Sequence, residues 1–287
     1  MNIVKNNYHT HIKLCNHAFG MPEDYIKRAI ELNMEGIGIS DHNPFPSYLY
    51  PNEYQHCLPN NMKVEEFYNI YLPSIEECQK EYGKDINIYK GLECEYIEGF
   101  DDYYNSLRNN LDYIGLGIHF FVKDGKLYNS YFDVDYKSLE YYVENAINAI
   151  DSGLFDIFYH PDVFMMGFKN KDGERKLDKE SLELCEKMIK HAVDKGIYLE
   201  INANGIGNSK RVHPTIYMYP NIDFWKMVSK YKDAKIIIGC DAHNLDALSN
   251  ENVEKAYELV EELGLTVLDK IEMKWFLWSI LNGLIKI

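Results

Sequence analysis

The sequence contains fewer basic residues than acidic ones. It holds 30 Lys and Arg against 45 Asp and Glu, for a formal charge of −15 over 287 residues. Contacts to a nucleic-acid backbone need clustered Lys and Arg, so this balance argues against a nucleic-acid partner. It does not exclude a small anionic substrate, because bound metal cations can reverse the sign of the local field.

Signals for export and for membrane insertion are also lacking. The six cysteines form no CxxC pair, and the first residues lack the apolar core of a secretory signal. No apolar run approaches the roughly 20 residues that span a bilayer. The apolar stretch 275–281 is short, and we expect a terminal helix packed on the domain. These features predict a reduced, cytoplasmic protein without membrane contact, and they make no prediction about oligomeric state.

The composition is that of a folded globular protein. Apolar residues make up 46% of the chain and only nine prolines occur. A chain of this length buries roughly three-quarters of its unfolded surface, so it needs no disulfide or structural metal to fold. We find no Gly/Ser/Pro-rich linker, charge block or internal repeat, and we predict a single domain over 1–287.

Short apolar segments alternate with amphipathic helical segments along the chain. The run Ile236-Ile237-Ile238 is typical of a strand buried on both faces of a parallel sheet. Seven strand–helix units predict either an α/β barrel or a doubly wound sheet. The strand candidates are 3–8, 36–40, 86–92, 112–118, 154–159, 197–202 and 235–240. The helix candidates are 22–34, 63–82, 101–109, 136–151, 179–195, 222–231 and 250–263.

Seven of the ten histidines lie at or just beyond the C-terminal ends of these predicted strands. In a barrel those ends converge on one face, where barrel active sites are found. Imidazole and carboxylate groups together suit zinc, manganese or iron. Nine side chains are more than one metal accepts, so two or three ions are predicted. The candidate ligands are His9, His11, His17, His42, Glu93, His119, His160, Asp241 and His243.

Each of these placements has an ordinary structural explanation when it is taken alone. An HxH pair such as His9 and His11 occurs by chance, and a single histidine at a strand end, such as His119, is commonly structural. Asp41 could simply cap the turn that follows it. A purely structural reading would have to account for all the placements together, each at the same end of a different strand.

The order of these residues resembles the polymerase-and-histidinol-phosphatase (PHP) family. The matching motifs are His9-Thr10-His11, Asn16-His17-Ala18, Ser40-Asp41-His42, Glu93, His119, His160-Pro161 and Asp241-Ala242-His243. The resemblance extends from residue 8 to about residue 244. It implies a distorted (β/α)7 TIM-like barrel, in agreement with the seven predicted strands.

The resemblance also implies how the ligands divide among three metals. The first metal would be held by His9, His11, Glu93 and Asp241. Glu93 would bridge to a second metal held by His119 and His160. A third metal would be held by His17, His42 and His243. All nine positions carry the expected residue types, which favours an active enzyme over a degenerate domain.

The length of the chain favours the histidinol-phosphatase branch of the family, and the stretches 15–18 and 200–202 resemble that branch. This implies hydrolysis of L-histidinol phosphate to L-histidinol and phosphate, a step of histidine biosynthesis, by a metal-activated hydroxide. Two alternatives remain open. The first is a PHP phosphoesterase acting on a nucleotide, a sugar phosphate or phosphotyrosine. The second is a non-enzymatic barrel that binds metals.

Other residues are candidates for catalysis or for contact with the substrate. Glu93, Asp241 and His243 are the candidate catalytic residues, although all three also resemble ligands. In the predicted loop 203–221, the candidates for gripping a small phosphorylated substrate are Lys210, Arg211 and His213, with a solvated loop as the alternative. Glu200 and Asn202 share one face of their strand, and either could support the site or contact a substrate amine. The aromatics of loop 43–62, which could form a lid or pack an imidazole ring, are Phe45, Tyr48, Tyr50 and Tyr54.

Overall fold

The computed structural model of the chain describes residues 2–45, 62–212 and 218–273, with the backbone alone at residue 212. Strands and helices alternate through these residues, as the sequence predicts. The strands are β1 Asn6–Asn7, β2 Gly36–Ile39, β3 Asn87–Lys90, β4 Glu93–Cys94, β5 Gly115–Leu116, β6 Phe120–Lys123, β7 Lys126–Asn129, β8 Ile157–Phe158, β9 Tyr198–Asn202 and β10 Lys235–Gly239. The helices are α1 Pro22–Glu31, α2 Val64–Glu66, α3 Leu72–Tyr82, α4 Asp101–Arg108, α5 Leu139–Asp151, α6 Lys179–Lys195, α7 Ala203–Val212, α8 Ile222–Val228 and α9 Glu251–Leu263.

Among the described residues, the strands are parallel except in one hairpin. One sheet has the order β1-β2-β3, and a second has the order β10-β9-β8-β5-β4. Isolated bridges join the two sheets, between Thr10 and Ala242 at one side and between His42 and Glu93 at the other. Each strand of the two sheets therefore has neighbours in a series that runs from β1 to β10, and β10 lies beside β1 again. This arrangement brings the carboxyl ends of these strands to one face.

Helix ends in this fold carry local signals that set where each following strand begins. Helix α6 begins after Asp178, whose carboxylate accepts from the Ser181 amide, and it ends at Gly196 in the left-handed conformation. A glycine adopts that conformation without strain, so it turns the chain directly into β9. Helix α9 is built in the same way, with Asn250 as its first cap and Gly264 at its end.

Two features depart from the predicted elements. Phe120–Asn129 forms an antiparallel hairpin of β6 and β7 that the sequence pattern does not predict. Residues 203–212, predicted as the start of a long loop, form helix α7. Its Gly and Asn residues favour loops in isolation, but Ile206 is fully buried and the Ser209 hydroxyl donates to the Tyr219 carbonyl. Tertiary packing outweighs local propensity in this segment.

Large tyrosine rings fill the interior below the carboxyl ends of the strands. The hydroxyls of Tyr113 and Tyr159 each donate a 2.6 Å hydrogen bond to the Tyr8 carbonyl oxygen. Glycines in the surrounding strands make room for these rings. A Cβ at Gly115 would overlap the ring of Tyr159. The larger apolar core lies between the strands and the helices outside them. Within the described part of the chain, no helix has the length and apolarity that a bilayer crossing requires.

Candidate metal centre

Six strands deliver eight polar residues to the same face. His9 and His11 follow β1, His42 follows β2 and Glu93 begins β4. The remaining predicted ligands also follow strands, namely His119 after β5, His160 after β8, and Asp241 and His243 after β10. His17 follows the 3-10 turn Lys13–Cys15 and is the most exposed of the nine.

Two of these residues have unusual backbone angles at the point where their strand ends. His160 has φ 29° and Asp241 has φ 47°. These angles lie in or near the left-handed region, which side chains with a Cβ seldom adopt. Such strain persists only where surrounding structure enforces it, and it is common at functional sites.

Glu93 lies at the centre of the cluster, with its two oxygens facing different histidines. Oε1 lies 2.7 Å from His160 Nε2 and 3.6 Å from His119 Nε2. Oε2 lies 3.3 Å from His11 Nε2 and 3.5 Å from His9 Nε2. The carboxylate thus stands between two sets of imidazole nitrogens, and its role as a bridge between two metals stays a prediction.

The first predicted group is compact and buried. The Nε2 atoms of His9 and His11 lie 3.1 Å apart. Asp241 Oδ1 lies 3.2 Å from His11 Nε2 and 3.6 Å from His9 Nε2. Its other oxygen, Oδ2, accepts from the side-chain amides of Asn202 and Asn204, each at 3.2 Å. These amides hold the Asp241 carboxylate with Oδ1 turned toward the histidines.

The third predicted group is looser and nearer to solvent. The rings of His17 and His243 have centroids 4.9 Å apart, and those of His17 and His42 lie 5.3 Å apart. The side chain of His243 is 24% exposed, whereas His42 is 8% exposed. His42 also reaches inward, since its Nδ1 lies 3.2 Å from Glu93 Oε2.

Buried acidic side chains stand behind three of the histidines. Glu200 lies 2.8 Å from His9 Nδ1, Glu95 lies 2.7 Å from His119 Nδ1, and Asp41 lies 3.2 Å from His11 Nδ1. Two further rings use backbone carbonyls: His17 Nδ1 lies 2.7 Å from the Cys15 oxygen and His243 Nδ1 lies 3.0 Å from the Asp241 oxygen. Histidines that bind metals through one nitrogen commonly hold such a partner on the other.

The concentration of charge shifts the pKa values of the buried groups. Burial alone would lower the pKa of His9, but the charges of Glu200, Asp241 and Glu93 raise it to about 10. In the same way burial lowers the pKa of His119, and Glu93 and Glu95 raise it to about 9.

The two carboxylates at the centre shift in the opposite direction. Burial raises the pKa of Glu93, yet the neighbouring histidines, led by His119 and His9, hold it well below its ordinary value. Burial likewise raises the pKa of Asp241, yet the neighbouring histidines, led by His9 and His11, together hold it well below its ordinary value. For His243, burial and then the charge of His11 lower the pKa to about 4. The site therefore combines ionised carboxylates with imidazoles of both high and low pKa.

The donor set fits divalent metal ions. Among the described residues, Glu93 Oε2 is buried and accepts no hydrogen bond, and a buried acceptor without a partner costs about 1–3 kcal/mol. A cation at this point would satisfy that oxygen. Several triplets place one donor atom per residue within 4.8 Å of one another, including His9, His11 and Asp241, and also His42, Glu93 and His119. Imidazole nitrogen with carboxylate oxygen suits zinc, manganese and iron.

A cavity of about 600 Å³ opens above the cluster. The candidate ligands His11, His17, His42, Glu93, His119, Asp241 and His243 form its floor, and Phe19, Phe120, Tyr131, Asn204, Asn208, Arg211 and Asn252 are among its walls. Of the predicted phosphate contacts, Arg211 lines this cavity. The ammonium of Lys210 lies 2.8 Å from Glu251 Oε1, and Lys210 is not among the lining residues.

Several predicted substrate contacts have no geometry to compare. His213 and the loop aromatics Tyr48, Tyr50 and Tyr54 lie outside the described residues, as does the stretch 275–281. Phe45, at the edge of the described part, packs its ring against Tyr103 with centroids 6.1 Å apart. The roles of Arg211, Lys210 and His213 stay predictions.

A family model of the PHP domain matches residues 7–204 of the chain. The chain belongs to the PHP domain family. A protein named probable histidinol-phosphatase from Deinococcus radiodurans is 24% identical over 271 residues, covering 90% of this chain and 94% of that protein. A second protein of that name, from Schizosaccharomyces pombe, is 25% identical over 288 residues, covering 92% of this chain and 88% of the relative.

Among solved structures, the fold matches histidinol phosphate phosphatase from Lactococcus lactis, which was solved with zinc, L-histidinol and phosphate. The TM-score is 0.68 at 18% identity, over 94% of this chain and all of that one (100%). The likeness confirms the predicted α/β fold of PHP type.

The structure adds residues that the sequence did not single out. Glu95 follows Glu93 by two positions in a buried segment, and a charged residue in such a place is itself a signal of a polar partner. Asp41, considered in the sequence only as a cap of the following turn, lies 3.2 Å from His11 Nδ1 and also accepts from the His42 amide. Nothing in the local sequence indicates that Tyr159 stacks on His9, with centroids 3.8 Å apart.

Proposed function

We propose that this protein is a metal-dependent phosphomonoesterase that hydrolyses L-histidinol phosphate to L-histidinol and phosphate. One observation carries the phosphoesterase assignment: Glu93 stands at the floor of the cavity with each oxygen directed at a different set of histidines. The substrate is supported by relatives that span nearly the whole chain and are named histidinol-phosphatases. On this assignment the enzyme serves histidine biosynthesis.

The metal content that we propose is two or three divalent transition-metal ions, drawn from zinc, manganese and iron. The fold relative that was solved with zinc supports this class of ion. Charge supports more than one ion, because five buried carboxylates surround the histidines and could offset up to five positive charges. These carboxylates are Asp41, Glu93, Glu95, Glu200 and Asp241.

Bound ions would supply a nucleophilic hydroxide near neutral pH and would neutralise charge on the phosphoryl oxygens. The residues of the chain position the reaction. Glu93 and Asp241 keep their carboxylates ionised and oriented, and the Asn202 and Asn204 amides fix the Asp241 oxygen that faces away from the histidines. The position of Arg211 on the cavity wall supports a role in pairing with phosphate oxygens through a charge-assisted hydrogen bond.

Release of inorganic phosphate from L-histidinol phosphate tests the proposal. The metal-loaded protein is compared on this substrate, a nucleoside monophosphate, a sugar phosphate and phosphotyrosine. We expect L-histidinol phosphate to give the highest kcat/KM. A higher value on another monoester reassigns the substrate, and no release from any of them, with His9→Ala equally inactive and folded, argues against an enzyme.

A further inference from the structure

Glu200 is fully buried and does not line the cavity, so it is unsuited to direct contact with a substrate. We propose that Glu200 is a positioning residue that keeps the ring proton of His9 on Nδ1, so that Nε2 stays free to bind a metal ion. The inference rests on the metal centre of the proposed function but not on its substrate.

Both oxygens of the Glu200 carboxylate have polar partners. Oε2 accepts from the backbone N–H of His160 at 3.0 Å and from the Asn202 amide at 2.9 Å. Oε1 faces His9 Nδ1 at 2.8 Å. A carboxylate has no proton to donate, so the His9 ring must donate from Nδ1 to make this hydrogen bond. The neutral ring then presents an unprotonated Nε2.

The His9 ring is held in a fixed orientation. It is fully buried and stacks on Tyr159 with an interplanar angle of 20° and centroids 3.8 Å apart. Exchange of the two ring nitrogens would break the contact with Glu200. Nε2 is therefore directed at the centre of the cluster, 3.5 Å from Glu93 Oε2 and 3.6 Å from Asp241 Oδ1.

Glu200 is also connected by hydrogen bonds to two other predicted ligands. It fixes the backbone of His160, a residue with a positive φ of 29°. Through Asn202 it connects to Asp241 Oδ2, 3.2 Å from the Asn202 amide. Neighbouring Gly239 leaves the space for this carboxylate, because a Cβ at that position would overlap Glu200. One side chain thus sets the geometry of residues that follow three different strands.

A glutamine at position 200 would change the tautomer of the His9 ring. The amide oxygen can replace Oε2 and accept from His160 and Asn202. Its NH2 group then faces His9 Nδ1, which must become an acceptor. The proton of a neutral His9 ring would move to Nε2, where it blocks a metal ion. Glu200→Gln therefore preserves shape and hydrogen bonding but selects the wrong tautomer of His9.

The experiment measures metal retention against a graded series of chelator concentrations. Loss of an outer partner of a metal-bound histidine typically weakens metal affinity about 10- to 100-fold. We expect this loss for Glu200→Gln and a smaller metal-induced rise in Tm than in the unaltered protein. The matched control is Glu183→Gln, because the Glu183 side chain is 61% exposed on α6. Unchanged metal affinity in a folded Glu200→Gln protein would overturn the proposal, and so would an equal loss in the control.

A second measurement uses the unaltered protein and does not depend on how the variant folds. In the zinc-loaded protein labelled with ¹⁵N-histidine, the His9 ring should carry its proton on Nδ1, slowly exchanging and hydrogen bonded, with Nε2 unprotonated. His9→Ala identifies the resonance by its loss. A proton on Nε2, or none on Nδ1, contradicts the proposal. Neither measurement depends on which phosphate ester the enzyme hydrolyses.

Discussion

The interior of the protein has two layers with opposite chemistry. The upper layer, at the carboxyl ends of the strands, holds buried histidines and carboxylates. The layer beneath is filled by Tyr8, Tyr113, Tyr159 and Tyr198 with neighbouring apolar residues. The two layers meet where the ring of Tyr159 lies on the ring of His9.

The layers differ in how their polar atoms are satisfied. In the tyrosine layer, the Tyr113 and Tyr159 hydroxyls find a partner in the Tyr8 carbonyl. In the histidine layer, Glu93 Oε2 has no hydrogen-bond partner in the part of the chain that the structure describes, and the Nε2 atoms of His9 and His11 lie 3.1 Å apart. The two tyrosine hydroxyls thus have protein partners, whereas the Glu93 oxygen is an acceptor that a bound cation would satisfy. Changes in the two layers should therefore have different consequences.

The largest expected effect is from Glu93→Gln in the upper layer. This change removes the carboxylate that faces both sets of histidines, so metal content should fall from more than one equivalent per chain. Phosphate release should fall at least about 100-fold, the upper end of what loss of an outer partner causes. Elemental analysis and kcat/KM measure the two. If the variant retained all of its metal, Glu93 would not be a metal ligand.

A smaller effect is expected from His17→Ala, at the exposed edge of the same layer. His17 is the most exposed predicted ligand, and His243 beside it is also partly exposed. We expect the variant to lose one metal equivalent and to keep the buried ones, with less loss of phosphate release than in Glu93→Gln. Metal content after dialysis distinguishes the two variants. Equal losses in both would mean that the edge and the centre form a single cooperative unit.

The upper layer should also respond to pH, because metal ions compete with protons for its histidines. With a pKa of about 10, His9 is protonated near neutral pH in the metal-free protein. Metal uptake there should release protons, and metal affinity should rise with pH. A calorimetric titration in buffers of different ionisation enthalpy measures the release. Uptake without proton release would contradict the raised pKa.

The stability of the metal-free protein should move in the opposite direction. The folded-state pKa of His9 lies above its ordinary value of 6.5, so its charge stabilises the fold fully below pH 6.5. That contribution is lost as pH rises toward about 10. His119, with a pKa of about 9, contributes with the same sign. Urea unfolding of metal-free His9→Ala beside the unaltered protein isolates the effect, which should shrink with rising pH.

The smallest effect is expected from Tyr159→Phe in the lower layer. The variant loses one hydrogen bond, worth about 0.5–1.5 kcal/mol of unfolding free energy. Tyr113 still donates to the Tyr8 carbonyl, so the loss should lie at the low end. Metal content should not change, because the ring remains on His9. Tyr159→Leu, which removes the ring, is the contrasting variant and should lower metal retention as well. Loss of metal in Tyr159→Phe would show that the layers are coupled through the hydroxyl.

Much of the site could be predicted from the sequence because each ligand follows its own strand. Apolar runs such as 235–240 mark strands reliably, and in a parallel arrangement their carboxyl ends share one face. His119 and His160 could be placed near Glu93 on this ground alone. Assignment of ligands to particular ions rested on family resemblance, and it stays a prediction, as do the cytoplasmic location and the single-domain boundary.

The sequence did not indicate helix α7 or the hairpin of β6 and β7. The residues of α7 include Gly205, Gly207 and two asparagines, which favour loops locally. Its helical form depends on burial of Ile206 and on contacts of Ser209 with Tyr219. Those contacts join positions 10 residues apart in the sequence, which no local pattern encodes.

By itself the sequence determined the order of strands and helices and the residue types that could bind metal at the strand ends. Composition and spacing carry this information because strand burial and ligand chemistry are properties of individual residues and short segments. Only the tertiary structure decided which acid stands behind which histidine, and hence which ring nitrogen faces the centre. Glu200 and His9 are 191 positions apart, and their 2.8 Å contact exists only because β9 and β1 bring their carboxyl ends to the same face.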